Sequence, residues 1–199
     1  MDNNAMFKLS YGLYVLTARQ GEKDNGCIIN TVMQVTDTPK QIQIAVNKQN
    51  YTHDMVAATG EFNISVLSEK TVYFIIQHYG FQSGRDVDKF ATIPAPRTAN
   101  GIRYVAGVSN AVLSCKVVAT TDCGTHTLFL AEVTDAQVLS DAPSMTYQYY
   151  FDNVKPKPQP TGGEKWVCKI CNYVNEGEEL PPDFICPWCK HGVEDFEKR

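Results

Sequence analysis

Four cysteines near the C-terminus constrain this chain more than any other feature. They form two pairs, Cys168-Lys-Ile-Cys171 and Cys186-Pro-Trp-Cys189, with fourteen residues between them. Each pair bounds two residues, so one tight turn can aim two thiolates at a single point. Two such turns facing each other build a tetrahedral site of four sulfurs. The spacing alone reads as a zinc ribbon at least as readily as an iron site. Four buried thiols or two disulfides are the plain structural alternative. Trp166, Tyr173, Phe184 and Phe196 would supply a small apolar core, and a segment this short needs a metal as its staple.

The whole chain has 199 residues, 43% of them apolar and 20% charged, an ordinary globular balance. The region ahead of the cysteine tail is long enough to bury a proper core. No apolar run of about 18 residues occurs, so no membrane span is expected. The start, Met1-Asp-Asn-Asn, lacks the basic and apolar stretches of a secretory signal. Seven cysteines, four at metal spacing and three scattered (Cys27, Cys115, Cys123), suit a reducing cytoplasm. The net charge is −4. Residues 1–151 hold 11 basic and 13 acidic side chains, and residues 152–199 hold 7 and 9. Neither part is basic, which argues against a nucleic-acid partner. The acids of the tail, Glu176, Glu178, Glu179, Asp183, Glu194, Asp195 and Glu197, read as a solvated face or as a docking surface for a basic partner.

Beyond its cysteines, the segment from Trp166 to Phe196 resembles rubredoxin, the one-iron electron carrier. The resemblance lies in Trp166 before the first pair, Asn172-Tyr173 after it, the Pro182 to Pro187 run and Glu194-Asp-Phe196. It implies iron at Cys168, Cys171, Cys186 and Cys189, with zinc as a possible substitute. The chain departs from the family at two positions. Asn172 and Lys190 stand where the family has glycine after each pair, at turns of positive φ, which asparagine tolerates better than lysine.

Residues 152–164 read as a linker, stiffened by alternating prolines and loosened by Gly162-Gly163. Ahead of it the pattern is mostly strand, at Tyr11 to Thr17, Asn25 to Val35, Gln41 to Val46, Glu61 to Leu67, Ala111 to Thr120 and Thr127 to Leu139. Two helices are expected. The first, Thr52 to Thr59, is capped by Asn50 or Thr52 and stopped by Gly60. The second, Thr71 to Tyr79, is stopped by Gly80. Six or more strands with two short helices predict a closed or nearly closed antiparallel barrel.

The barrel holds no GxGxxG, Walker loop, GxSxG or HExxH. Polar stretches at a strand end, Asn30-Thr31 to Thr36, and before a helix, Asn47 to Thr52, could take a phosphate-bearing cofactor. Taken alone, such residues are more often structural. The match of several motifs in order alters that reading. Residues from about Phe7 to Phe151 resemble the flavin reductase-like, FMN-binding split-barrel family. The resemblance rests on Cys27 to Thr36, Val46 to His53, Gly60 to Leu67, Gly80 to Phe90, His126 to Val133 and Pro143 to Tyr150.

That resemblance implies FMN along Asn30, Thr31 and Gln34, with its ribityl and phosphate end at Asn47, Lys48, Asn50 and Thr52. It also implies Lys89 and His126 beside the ring as the catalytic candidates, Tyr149 or Tyr150 flanking it, and a homodimer. A surface lysine paired with Asp86 or Asp88 is the plainer reading of Lys89, and a core histidine that of His126. His53, His78 and His191 read as structural, and Cys27 as a small buried residue.

The expected fold is therefore mainly β: an FMN-binding split β-barrel over 1–151, then a rubredoxin-like iron-sulfur domain with four cysteine ligands over 165–199. The expected function is NAD(P)H:rubredoxin oxidoreductase, passing electrons from NADH or NADPH through FMN to the chain's own iron. By resemblance to flavin reductase–rubredoxin fusions of anaerobic bacteria, the acceptor would be a flavo-diiron protein that reduces nitric oxide or oxygen. Two rivals remain. One is a flavin reductase releasing reduced FMN, with a zinc ribbon as its tail. The other is a non-enzymatic module that binds a cofactor or partner.

Overall fold

The computed structural model describes residues 3–156, 165–170, 173–175, 177, 179–187 and 191–198, without the side chains of residues 3, 4 and 7. They form two compact units, Met1–Val154 and Lys155–Arg199. Among the described residues no helix is long and apolar enough to cross a membrane.

The first unit is built on seven strands: β1 (Tyr14–Gln20), β2 (Lys23–Ile29), β3 (Val32–Asp37), β4 (Lys40–Asn47), β5 (Glu61–Leu67), β6 (Ser109–Asp122) and β7 (His126–Val138). They pair antiparallel in the order β2-β1-β5-β6-β7-β4-β3. The two edges of this sheet, β2 and β3, are separated in sequence only by Asn30 and Thr31. If the sheet were flat its edges would stand roughly 29 Å apart. The chain from Ile29 to Val32 spans at most roughly 10 Å. The sheet must therefore curl until its edges approach, which makes it a barrel. Thr31 anchors this join to β4, next to β3: its hydroxyl donates to the Ala45 carbonyl at 2.8 Å and accepts from the Ala45 amide at 3.2 Å.

The sequence pattern reads as a single strand over Asn25 to Val35, whereas the chain forms two there, on opposite edges. A β-branched run bears no local mark where the backbone leaves one edge for the other. The remaining expected strands are present with shifted ends, and Glu61–Leu67 matches β5.

β1 shows why one core is not enough. Alternate residues face opposite sides. Leu16 and Ala18 join the cluster of Cys27, Ile44, Val46, Met55 and Phe62. Val15 joins a second cluster with Leu13, just ahead of the strand, and with Leu67, Ile76, Tyr79, Met145 and Tyr150. Residues 81–108, which form no strand or helix beyond short bridges and turns, are tied to the strands by buried polar side chains. The Thr17 hydroxyl donates to the Arg103 carbonyl at 2.7 Å, Asn63 Nδ2 to the Ile102 carbonyl at 3.0 Å, and the Val105 amide to the Ser65 hydroxyl at 3.0 Å. Asp24, almost fully buried, takes two bonds from the Arg97 guanidinium, at 3.0 and 2.8 Å.

Helix α1 (Tyr51–Thr59) ends at Gly60, which adopts the left-handed conformation at φ 70°. Asn50 stands at its N-cap in extended backbone, but its side chain makes no capping bond. Helix α2 (Tyr73–Gly80) takes in Gly80 and is capped by Phe81, one residue later than expected. Asp152 to Val154, which read as linker in the sequence, complete a helical turn over Tyr150–Val154. Residues 157–164 of that linker, with Gly162-Gly163, lie outside the described residues.

In the second unit, β8 (Trp166–Cys168), β9 (Val174–Asn175) and β10 (Phe196–Lys198) pair in the order β10-β8-β9. Tyr173, Phe184 and Phe196 pack as three rings, with centroids 5.4 to 6.5 Å apart. Trp166 is half-buried, with Lys198 Nζ 5.4 Å from its ring centroid. These are the four aromatics expected to form the small core.

Replacing Thr31 by valine keeps its shape and removes both bonds to Ala45. Thr31→Val is expected to lose about 1–2 kcal/mol of stability in chemical denaturation. Thr31→Ser should retain most of it. Equal stability of the valine variant would contradict this account of the anchored join.

Candidate functional site

The end of β4, the start of α1 and the β6–β7 turn meet at one end of the barrel. Asn47 lies opposite His126 in the β4–β7 register. Its Oδ1 accepts from the Gln49 amide at 2.9 Å, and its carbonyl from the Asn50 amide at 3.0 Å, which shapes the turn into α1. The Lys48 amide donates to the Thr125 carbonyl at 3.0 Å, and its ammonium pairs with Asp122 at 2.7 Å. That ammonium holds Asp122 below the ordinary carboxylate range. Thr125 Oγ1 lies 2.9 Å from His126 Nδ1.

Asn30 and Thr31 reach the same end, since Thr31 sits against Ala45, two residues before Asn47 on β4. Gln34 lies further along the edge opposite Ile42, exposed, with Nε2 3.3 Å from the Thr36 carbonyl. The structure thus brings Asn30, Thr31, Asn47, Lys48, Asn50 and His126 together. The N-terminus of α1, uncapped by Asn50, has the polarity that an anion takes.

Three candidates occupy different surroundings. Thr52 is fully buried, and its hydroxyl accepts from Asn25 Nδ2 at 2.9 Å. Tyr150 is buried in the second cluster, stacked on Tyr147 at 6.1 Å. Lys89 is 2% exposed and donates to the carbonyls of Gly26 and Tyr79, each at 2.8 Å. It is therefore not a surface lysine paired with Asp86 or Asp88. Its ammonium ties β2 to the end of α2, and the His78 ring, 2.7 Å from the Lys89 carbonyl, holds its backbone. Burial pulls the Lys89 ammonium down to about 8, opposed by the charge of Cys27 nearby. Burial pushes the Cys27 thiol up, partly offset by a bond with Thr52 and by Lys89.

His53, which the sequence offered only as structural, stands beside this group. Its Nε2 is 2.8 Å from Thr127 Oγ1 and its Nδ1 3.0 Å from Asp54, which also takes Arg85 at 2.6 Å. Those bonds, from His53 first and Arg85 next, hold Asp54 below the ordinary range. The available signal was its place in the first turn of α1, three residues after the N-cap Asn50.

In the second unit, the Cys168 and Cys186 side chains have no exposure. The two loops close alike. The Cys168 amide donates to the Tyr173 carbonyl and the Cys186 amide to the His191 carbonyl, each five residues on and each at 2.8 Å. Two buried sulfur donors on matching loops fit a thiolate-held metal ion. Cys171 and Cys189, the other two expected ligands, lie outside the described residues, as do Asn172 and Lys190. His191 accepts that bond through its backbone.

The Lys89 ammonium has a pH signature. Between about pH 8 and 10.5 the unfolded chain holds a proton at this lysine that the folded chain has released, so stability rises with pH across that window. The buried thiols of Cys27 and Cys115, the latter pushed up to about 12, work in the opposite direction at high pH. The comparison is therefore with Lys89→Met. Wild type should gain on the order of 2 kcal/mol relative to the variant between about pH 7.5 and 10 in urea denaturation. A pH-independent difference would contradict a depressed Lys89.

A family model described as flavin reductase like domain matches residues 6–157, and one described as rubrerythrin, rubredoxin-like domain matches residues 166–197. The chain is 38% identical to the high molecular weight rubredoxin of Moorella thermoacetica, over the full length of both. It is 41% identical to a ferric-chelate reductase (NAD(P)H) of Archaeoglobus fulgidus, over 75% of this chain and 89% of that one. Among solved structures, the NADH:FAD oxidoreductase SgcE6 of Streptomyces globisporus C-1027 superposes with a TM-score of 0.66 at 26% identity, over 71% of this chain and 83% of that one. The chain belongs to the flavin reductase-like family of oxidoreductases, in a form whose barrel is followed by a rubredoxin-like domain.

Proposed function

We propose that this protein is an NAD(P)H:rubredoxin oxidoreductase that passes electrons through FMN to its own rubredoxin iron and on to a separate redox protein. The carrying observation is the presence, in one chain, of a flavin reductase-like barrel and a rubredoxin-like unit whose two matching loops bury a cysteine each. A bound flavin takes electrons in pairs and releases them singly, while an iron with four thiolates takes one at a time. The fusion makes chemical sense as a step from pair to single transfer.

In the barrel, Asn47, Lys48, Asn50 and the N-terminus of α1 would hold the phosphate end of the cofactor. Asn30, Thr31, Gln34 and His126 would take its polar edge. Thr52 and Lys89 would support the site from inside, since both side chains are spent on bonds to neighbouring protein groups. Lys89 would lend its charge to the β2 strand rather than touch the ring. Cys168, Cys171, Cys186 and Cys189 would hold the iron. The acceptor is proposed to be a flavo-diiron protein, and the working form a cytoplasmic homodimer.

Removing one thiolate separates the two functions. Cys186→Ser should still let NADH bleach the flavin at close to the wild-type rate, while delivery to an external one-electron protein acceptor is nearly abolished. Equal loss of both steps would contradict two modules in series. Unchanged delivery, or equimolar zinc in natively purified protein, would favour a flavin reductase with a structural tail.

A further inference from the structure

Lys48, one of the residues proposed to hold the phosphate end of the cofactor, is already paired with an anion. Its Nζ lies 2.7 Å from Asp122 Oδ2. Asp122 ends β6, and its other oxygen, Oδ1, accepts from the Gly124 amide at 2.7 Å. Gly124 stands at φ 78°, in the left-handed region that favours glycine, so the β6–β7 turn folds back under the carboxylate. The carboxylate is thus held by its own turn and aimed at Lys48. A separate bond, from the Lys48 amide to the Thr125 carbonyl at 3.0 Å, fastens the same turn to the backbone at Lys48. The ion pair is open to water: the Lys48 side chain is 37% exposed and that of Asp122 73%.

A pair this exposed adds little to stability. The turn does not need the negative charge either. An asparagine oxygen accepts from an amide as a carboxylate oxygen does, and the bond from the Lys48 amide to Thr125 involves no side chain. What the charge changes is the offer that Lys48 makes to a ligand. A phosphate that reaches this ammonium meets a carboxylate already bound to it, and two like charges on one cation repel. Either the carboxylate gives up its bond or the phosphate is held less tightly.

We propose that Asp122 is a positioning residue that acts through Lys48: it competes with the flavin phosphate for the Lys48 ammonium, weakens the hold on the cofactor and keeps it exchangeable. This rests on the reading that places that phosphate at Lys48 and the start of α1. It gives the β6–β7 turn a part in setting how long the flavin stays bound.

The test is equilibrium binding of FMN, and of riboflavin, which lacks the phosphate, to full-length protein freed of flavin. Quenching of flavin fluorescence reports binding to wild type, Asp122→Asn, Asp122→Ser and Lys48→Gln. Both Asp122 variants keep an oxygen for the Gly124 amide. Each should bind FMN roughly two- to fivefold more tightly than wild type at low salt, with the gain shrinking at high salt, and each should bind riboflavin as wild type does. Lys48→Gln should weaken FMN and leave riboflavin unchanged. FMN held as tightly by Lys48→Gln as by wild type would overturn the placement of the phosphate, and this inference with it. FMN weakened by Lys48→Gln but not tightened by either Asp122 variant would overturn the role of Asp122 and leave that placement intact. An equal gain for riboflavin would also overturn that role, because the effect would not run through the phosphate.

Discussion

Two residues, Asn30 and Thr31, join the opposite edges of a seven-stranded sheet, and the rest of the first unit depends on that short span. It forces the sheet to close and commits the Thr31 hydroxyl to Ala45 on both its donor and acceptor sides. It also brings the β2–β3 join to the end of β4. The candidate site lies where that end meets the start of α1 and the β6–β7 turn. Closure thus does for the site what no single loop could. It sets polar side chains from distant parts of the chain against the N-terminus of a helix.

Behind this surface the polar residues are spent on holding the fold together. Asp24 with Arg97, Thr17 with Arg103, and Asn63 with Ile102 fasten the long segment 81–108 to the outside of the strands. Lys89 ties β2 to α2 through two carbonyls. A buried polar group left unpaired costs more than a formed bond gains, so these anchors fix the position of the segment as well as its stability. The second unit uses another device. Three rings and a pair of like-closed loops make a core too small to stand unaided, and thiolates that converge on a metal would complete it.

Much of the architecture is legible in the residues. Alternation marks β4, the full length of β5 can be read from its pattern, and the CxxC spacing with its aromatic neighbours marks the tail. The break at Asn30–Thr31 is hidden because a β-branched run looks the same whether it stays on one edge or crosses to another. Lys89 reads in the sequence as a surface or cofactor-facing charge. Its burial depends on carbonyls at Gly26 and Tyr79, and main-chain acceptors leave no trace in a sequence. Thr52 and Tyr150 are candidates by residue type, but their side chains are turned to interior partners. Lys155 is hidden in a run that reads as linker, since only the folded unit shows that its ammonium reaches the Lys169 carbonyl.

The central claim is that both units act in one electron path, and rapid-scan absorption after mixing native full-length protein with NADH, without oxygen, tests it most directly. The proposed function predicts that the flavin band bleaches first and the thiolate-to-iron bands then fade in the same molecules, before any external acceptor is added. A fully bleached flavin beside iron bands that stay oxidised would contradict it.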